Sequence, residues 1–296
     1  MELHQLRYFL AIAQHGSFTA AAEVCHVSQP SLSAQVAKLE GELGGPLFER
    51  SRQGARLTPR GQVFRPRALE ALQQLESARG EMEELSGLTR GEVVLGCLPT
   101  TGAYVLPGIL TAFREAHPGL QVKLREESSP TLGRALLDAE VDLALMDEAG
   151  LAPGLRSEVL FREPLLVIAP RNHAFAARRK IPLSKLAGEP LILMKSGHGF
   201  RKIVLDALAL ARVEPKVVYE TDGIDTVQTL VEAGLGLSVV PSMVRMAMVR
   251  RGRGPAYIDI APPTPTRTLL LARRDSSALS PAAAAMKDVI SGLLRK

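Results

Sequence analysis

Apolar residues Leu3, Leu6, Phe9, Leu10 and Ala13 recur at helical spacing, and His15-Gly16 ends the helix they predict. Ser17 or Thr19 can then cap a short second helix over residues 20–24. Ser28-Gln29-Pro30 opens a third, with Ser28 as N-cap and Pro30 in the first turn, where its missing N–H costs nothing. Leu32, Val36, Leu39 and Leu43 form the inward stripe of this third helix. Leu47, Phe48 and Leu57 bracket a hairpin-like segment, and Thr58-Pro59 supplies the cap and first-turn proline of a long helix. Its apolar positions step by four and three through Phe64, Ala68, Ala71, Leu75, Ala78, Met82 and Leu85. Such a seam suits a partner helix, although it also fits packing on its own domain. Pro66 removes a backbone bond and crowds the preceding turn, which predicts a kink over 62–66. Gly87 to Gly91 reads as a hinge.

Beyond residue 91 the pattern alternates between strand and helix. Strands are predicted over 92–98, 121–126 and 141–146, with helices over 106–117 and 130–140 between them. A second set begins near Pro164, with strands over 165–169, 191–194, 216–221 and 236–240 and helices over 199–212 and 224–233. A last strand over 268–273 and a helix over 281–294 close the chain. This order implies parallel β/α units. In such sheets, ligands sit beyond the carboxyl ends of the strands. The first strand delivers Thr100, Thr101 and Gly102 to a helix start, the second delivers Ser128 and Ser129, and Ser196, Gly197, His198 and Gly199 precede a helix carrying Arg201. Free N–H groups and hydroxyls at helix starts favour an anion or a polar oxygen. Thr and Ser before helices also serve as plain caps, and a lone His is usually a satisfied turn residue.

A chain of 296 residues fits about two domains and, with 46% hydrophobic and 23% charged residues, an ordinary folded protein. Two cysteines, Cys25 and Cys97, supply neither a disulfide framework nor a thiolate metal cluster, so a reducing cytoplasm is the expected setting. No secretory apolar core and no stretch near ~20 apolar residues occurs, so no membrane role is expected. The formal charge is +5, and the segment 48–67 alone carries six arginines against one acid, Glu49. Everything else cancels. That concentration points to a polyanion only if the neighbouring elements do so too.

They do. Opposite its apolar stripe, the third helix offers Gln29, Ser31, Ser33, Ala34, Gln35 and Lys38, a small and hydrogen-bonding face in place of a Glu/Lys solvent face. Small side chains let a helix sit deep in the major groove, where Gln and Ser reach base edges. The pattern is a helix-turn-helix followed by a wing, with Gln29, Pro30, Ser31, Ser33 and Lys38 expected at the groove and Arg50, Arg52 and Arg56 at phosphates or a narrow minor groove.

The opening stretch MELHQLRYFLAIAQHGSFTAAAEVCHVSQPSLSAQ, the LEGELG step and the LFER…LTPRG wing together resemble the LysR-type transcriptional regulators, and the resemblance extends over all 296 residues. AAEVCHVSQPSLSAQ, LGCLPTTGAYVLP and the SGHGFR segment are most similar to the peroxide-sensing OxyR subgroup. The resemblance implies an α/β fold of defined order: an N-terminal winged helix-turn-helix (1–58), a linker and dimerisation helix with hinge (59–90), then a two-lobed α/β periplasmic-binding-protein-like effector domain (91–296). Lobe I is expected over about 91–162 and 267–296 and lobe II over about 163–266, with chain crossings near 160–164 and 262–267. It also implies that Phe64 through Leu85 pair two subunits, that Thr100, Ser129, His198 and Arg201 line an inter-lobe site, and that the partners are double-stranded DNA at a pseudo-palindromic promoter site, RNA polymerase, a small-molecule effector and further copies of the chain, as dimer and tetramer.

The chain departs from that subgroup where the subgroup's chemistry lies. Gly199 stands where the peroxide-reactive cysteine would follow His198, and Leu208 where the resolving cysteine would lie. Cys97 falls within an apolar strand pattern and Cys25 within the helix-turn-helix core. The expected mechanism is therefore reversible binding of a small molecule, for instance a carboxylate, between the lobes. The alternative is a redox-responsive regulator using Cys97. No P-loop, GxGxxG, GxSxG or HExxH occurs and the six histidines are scattered, so neither an enzyme, a cofactor nor a metal site is expected.

Overall fold

The computed structural model describes residues 1–51, 54–85, 91–245, 254–275 and 279–295. They fall into two compact units, the first built mainly on residues 1–88 and the second on most of the remainder.

In the first unit, α1 (Leu3–His15) ends where Gly16, at φ 63°, donates its N–H to Ile12 O. Helix α2 (Phe18–Val24) starts earlier than the apolar pattern implied, because Ser17 Oγ accepts from Ala20 N. Helix α3 (Gln29–Glu42) starts at its Ser28 cap, with Pro30 in the first turn. Strands β1 (Phe48–Ser51) and β2 (Gly54–Leu57) pair antiparallel as the wing. Leu6, Phe9, Ile12, Leu32, Val36 and Leu39 are buried at the centre, and the Phe9 ring packs against those of Phe48 and Phe64 at 5.2 and 5.1 Å. Leu43, expected inside, is only half-buried. Glu40 Oε1 accepts from Leu47 N and Phe48 N, which fixes where the chain leaves α3 for the wing. Thr58 Oγ1 donates to Pro46 O and accepts from Gly61 N, starting α4 (Pro59–Leu85), a single helix with Pro66 inside it.

In the second unit one sheet runs in the order β4 (Leu120–Glu126), β3 (Gly91–Cys97), β5 (Leu143–Met146), β12 (Thr266–Arg274), β6 (Leu155–Ala169), β11 (Ala256–Ile260), β7 (Lys180–Ile181), with β10 (Ser238–Pro241) also on β6. Strands β3 (Gly91–Cys97), β4 (Leu120–Glu126) and β5 (Leu143–Met146) are parallel, joined through α5 (Pro99–Gly102), α6 (Leu106–Ala116) and α7 (Ser129–Leu137). Strand β6 (Leu155–Ala169) is far longer than the apolar run that marks its second half. Its first part pairs antiparallel with β12 (Thr266–Arg274), and residues 165–169 then pair with β10 (Ser238–Pro241) and β11 (Ala256–Ile260). One strand thus passes between both lobes. Strand β7 (Lys180–Ile181) and β11 were absent from the apolar pattern. The second lobe is completed by β8 (Pro190–Met194), α8 (Gly199–Leu210), β9 (Lys216–Thr221) and α9 (Ile224–Glu232) around a large buried aliphatic core. The C-terminal helix Pro281–Leu294 lies where the sequence put it. Of the hinge expected over 87–91, residues 87–90 lie outside the described residues and Gly91 begins β3.

Candidate nucleic-acid interface and effector site

On α3, Gln29, Pro30, Ser31 and Lys38 are exposed, as a groove-entering face requires, while Ser33 and Gln35 are half-buried. Gln35 Oε1 accepts from Gln5 Nε2 at 3.0 Å, so it holds α1 against α3 and is withdrawn from the exposed face of the helix. Arg50 Nη1 donates to Ser33 Oγ at 3.0 Å while its guanidinium stacks 4.1 Å from the Phe18 ring centroid. A planar cation on an aromatic face is held without losing its charge, so wing and helix share one surface. Arg56 is exposed on β2, and Arg52 lies outside the described residues.

The seam of α4 divides in two. Ala68 is buried and Phe64 half-buried in the core of the first unit, so these two serve the fold of one chain and are not free for a partner helix. Ala71, Leu75, Ala78 and Met82 are exposed, Leu75 to 45% and Met82 to 59%. The side chain of Leu85 lies outside the described residues.

The candidate effector residues gather where β3, β4 and β5 end against the start of α8. Thr100 is buried and its Oγ1 accepts from Arg267 Nη1 at 2.8 Å. Thr101 Oγ1 is a buried side-chain oxygen with no hydrogen-bond partner among the described residues. Ser129 Oγ accepts from Asp147 N, and Ser128 Oγ shares a hydrogen bond with Thr131 Oγ1, a local arrangement at the start of α7. The approach of α7 to the turn Glu148–Gly150 that follows β5 depends on glycine: a Cβ at Gly133 would stand 2.1 Å from Gly150 O. That contact sets Asp147, missed by sequence reasoning, at the carboxyl end of β5.

From the second lobe, Gly199 opens α8 against this carboxylate. A Cβ there would lie 2.7 and 3.1 Å from the two oxygens of Asp147. His198 Nε2 is 3.6 Å from Asp222 Oδ1, and Lys195 Nζ is 2.6 Å from Asp222 Oδ2, an exposed carboxylate held below its ordinary range mainly by the Lys195 hydrogen bond. Ser196 is exposed. Arg201 differs from expectation: it donates to Met194 O at 2.6 Å and pairs with Glu220 at 2.7 Å, bracing β8 and β9 instead of reaching across.

Two further groups join the lobes. Arg267, on β12, is cross-strand partner to Glu163 on β6, and its Nε meets Glu163 Oε1 at 2.7 Å with both side chains almost fully buried. Glu163 Oε2 also accepts from Ser242 Oγ and Met243 N. Tyr104, beyond α5, donates to Asp225 Oδ1 at 2.5 Å and accepts from Gln228 Nε2, while Tyr257 donates to Gln228 Oε1. Burial pushes the Tyr257 hydroxyl up to about 12 and shifts Tyr104 upward as well, so both are donors at neutral pH. Arg267 and Glu163 meet only through the pairing of two distant strands, and Tyr104 meets Asp225 and Gln228 only because α9 packs against the segment after α5.

Residues 3–62 match the family model described as "Bacterial regulatory helix-turn-helix protein, lysR family", and residues 86–295 match "LysR substrate binding domain". The chain is a LysR-type transcriptional regulator. This LysR-type regulator is 31% identical to the DNA-binding transcriptional dual regulator OxyR of Escherichia coli K12 over 94% of its own length and 91% of the relative's. It is 30% identical to the nitrogen assimilation regulatory protein nac of Klebsiella aerogenes, over 100% and 96% of the two chains. Among solved structures, a full-length variant of OxyR from Pseudomonas aeruginosa superposes with a TM-score of 0.76 at 31% identity, covering 98% of this chain and 94% of that one. Full-length CbnR in complex with its target DNA superposes with a TM-score of 0.60 at 26% identity and complete coverage of both. The family consists of transcription regulators, and no helix among the described residues is long and apolar enough to cross a membrane.

Proposed function

We propose that this LysR-type regulator answers to a small polar molecule held non-covalently between its lobes, and that peroxide is not its signal. The contact of Gly199 with Asp147 carries this reading. Where the resemblance to OxyR calls for a reactive cysteine, this chain has a glycine, and the Asp147 carboxylate occupies the space 2.7 Å from the Cβ position, so a side chain there would first have to turn that carboxylate aside. Cys97 is a poor substitute: it is 1% exposed, and burial first, then the charge of Glu126, pushes its thiol up to about 12. A thiol so protonated is a weak nucleophile near neutral pH.

The effector's chemistry follows from what the lobes already hold. A carboxylate was the expectation from sequence, but Arg267 is engaged by Glu163 and the start of α8 faces Asp147. A ligand bearing hydroxyl, amide or amine donors suits Asp147, whose Oδ1 already accepts from Ala149 N, and the buried Thr101 hydroxyl, which has no partner among the described residues. Its differential affinity for two lobe arrangements shifts their populations. On this reading Gln29, Pro30, Ser31 and Lys38 read base edges, Arg50 and Arg56 grip phosphates, and Ala71, Leu75, Ala78 and Met82 pair two copies of a cytoplasmic, non-enzymic protein that binds DNA as a dimer or tetramer. In a metabolite screen by melting temperature, a donor-bearing ligand raises the melting point of the full chain, and Thr101→Val reduces that gain. Hydrogen peroxide leaves the mobility shift of a bound promoter fragment unchanged; a peroxide response lost in Cys97→Ser would overturn the reading.

A further inference from the structure

We propose that a cavity under the C-terminal helix is a second binding site, for a small organic carboxylate, separate from the inter-lobe site and independent of the reading given for it. The cavity measures about 300 Å³, the lower end of volumes that hold small ligands. Leu143 of β5 and Leu271 of β12, both buried, form an apolar floor, while Arg156, Arg273 and Lys287 bring cations from β6, β12 and the helix, against one acid among the described lining residues, Glu158.

The register sharpens the case. Arg156 and Arg273 are direct cross-strand partners, as are Glu158 and Leu271, so these four share one face of the sheet. Like charges placed directly opposite destabilise a strand pair, and an anion between them offsets that penalty even though Arg273 Nη1 already donates to Arg274 O at 3.0 Å. Glu158 already accepts from Ser291 Oγ at 2.9 Å and faces Arg295 at 3.8 Å. Asp275 reaches Arg156 at 3.1 Å, but both side chains are more than half exposed, and such pairs contribute little. Lys287 Nζ is 3.8 Å from Asp288 Oδ1, whose side chain is 79% exposed. Two guanidinium groups match a planar carboxylate through paired N–H donors, and the two leucines favour an organic acid with an apolar body over inorganic phosphate.

Calorimetric titration of the full chain with hexanoate, hexanol and inorganic phosphate tests the assignment. Hexanoate binds, whereas hexanol and phosphate do not. Lys287→Gln and Arg156→Gln, both at the cavity rim, each weaken hexanoate by on the order of tenfold, as loss of a charged hydrogen bond requires, while Thr101→Val leaves it unchanged. Absence of hexanoate binding, equal binding of hexanol or phosphate, or an affinity unmoved by both rim variants overturns the site. Loss of binding in Thr101→Val assigns the carboxylate to the inter-lobe cleft and overturns it equally, whereas failure of the inter-lobe reading leaves the rim variants' effect intact.

Discussion

Replacing Glu163 by alanine removes the acceptor of Arg267 Nε, Ser242 Oγ and Met243 N at once. The Arg267 side chain is 2% exposed, and its remaining partners, Thr100 Oγ1 and Met243 Sδ, carry no charge to balance it once Glu163 is gone. Breaking a buried pair by deleting one member costs about 3–5 kcal/mol. For a domain of this size ~1 kcal/mol moves the melting point by about 2–4 °C, so a loss of roughly 6–20 °C is expected. Glu163→Gln keeps an acceptor for Met243 N but loses the ion pair, and lands between wild type and alanine. The double variant Glu163→Leu/Arg267→Met is more stable than Glu163→Ala, because no buried charge is left unpaired. With no tryptophan in the chain, far-UV circular dichroism follows the melt. A Glu163→Ala melting point within about 2 °C of wild type would refute the reasoning, since that is less than ~1 kcal/mol. So would a double variant less stable than the alanine single.

Three other outcomes are expected. Arg50→Ala flattens the salt dependence of DNA binding by about one unit of log–log slope, and Gln29→Ala weakens specific over non-specific sites by ~1–3 kcal/mol, both read by mobility shift across salt concentrations. Leu75→Glu, on the exposed half of the α4 seam, dissociates the oligomer in sedimentation with the helix-turn-helix still folded, whereas Phe64→Ala, whose ring packs 5.1 Å from that of Phe9, destabilises the first unit itself; the same response from both variants would merge the two halves of the seam. Burial raises the Asp142 carboxyl above its ordinary range although its Oδ2 accepts from Val94 N. A raised folded value means that the native state binds the proton more tightly, so this residue's contribution falls as pH rises through the carboxylate range. Asp142→Asn, which keeps the acceptor, therefore stabilises the protein at neutral pH and not in acid, as thermal melts at the two pH values will register.

The local codes of the chain were enough for the first unit and for most helices and strands of the second. Caps at Ser17, Ser28 and Thr58, the stripe of Leu32, Val36 and Leu39 and the apolar strand runs are read within a few residues, and the caps act through hydrogen bonds three residues away. The face of α3 and the arginine wing were legible for the same reason. What needed the tertiary structure was every pairing across long separations. Strand β6 runs ten residues before its apolar half because β12, more than a hundred residues later, supplies the neighbour that its polar half lacks. The same crossing sets Arg267 on Glu163, and the packing of Gly133 on Gly150 sets Asp147 against Gly199. Phe64 and Ala68 fit a heptad seam as well as Leu75 and Met82 do, and only the core they enter separates the two pairs. Periodicity records which face of an element is apolar; what covers that face is decided by the chain that folds onto it.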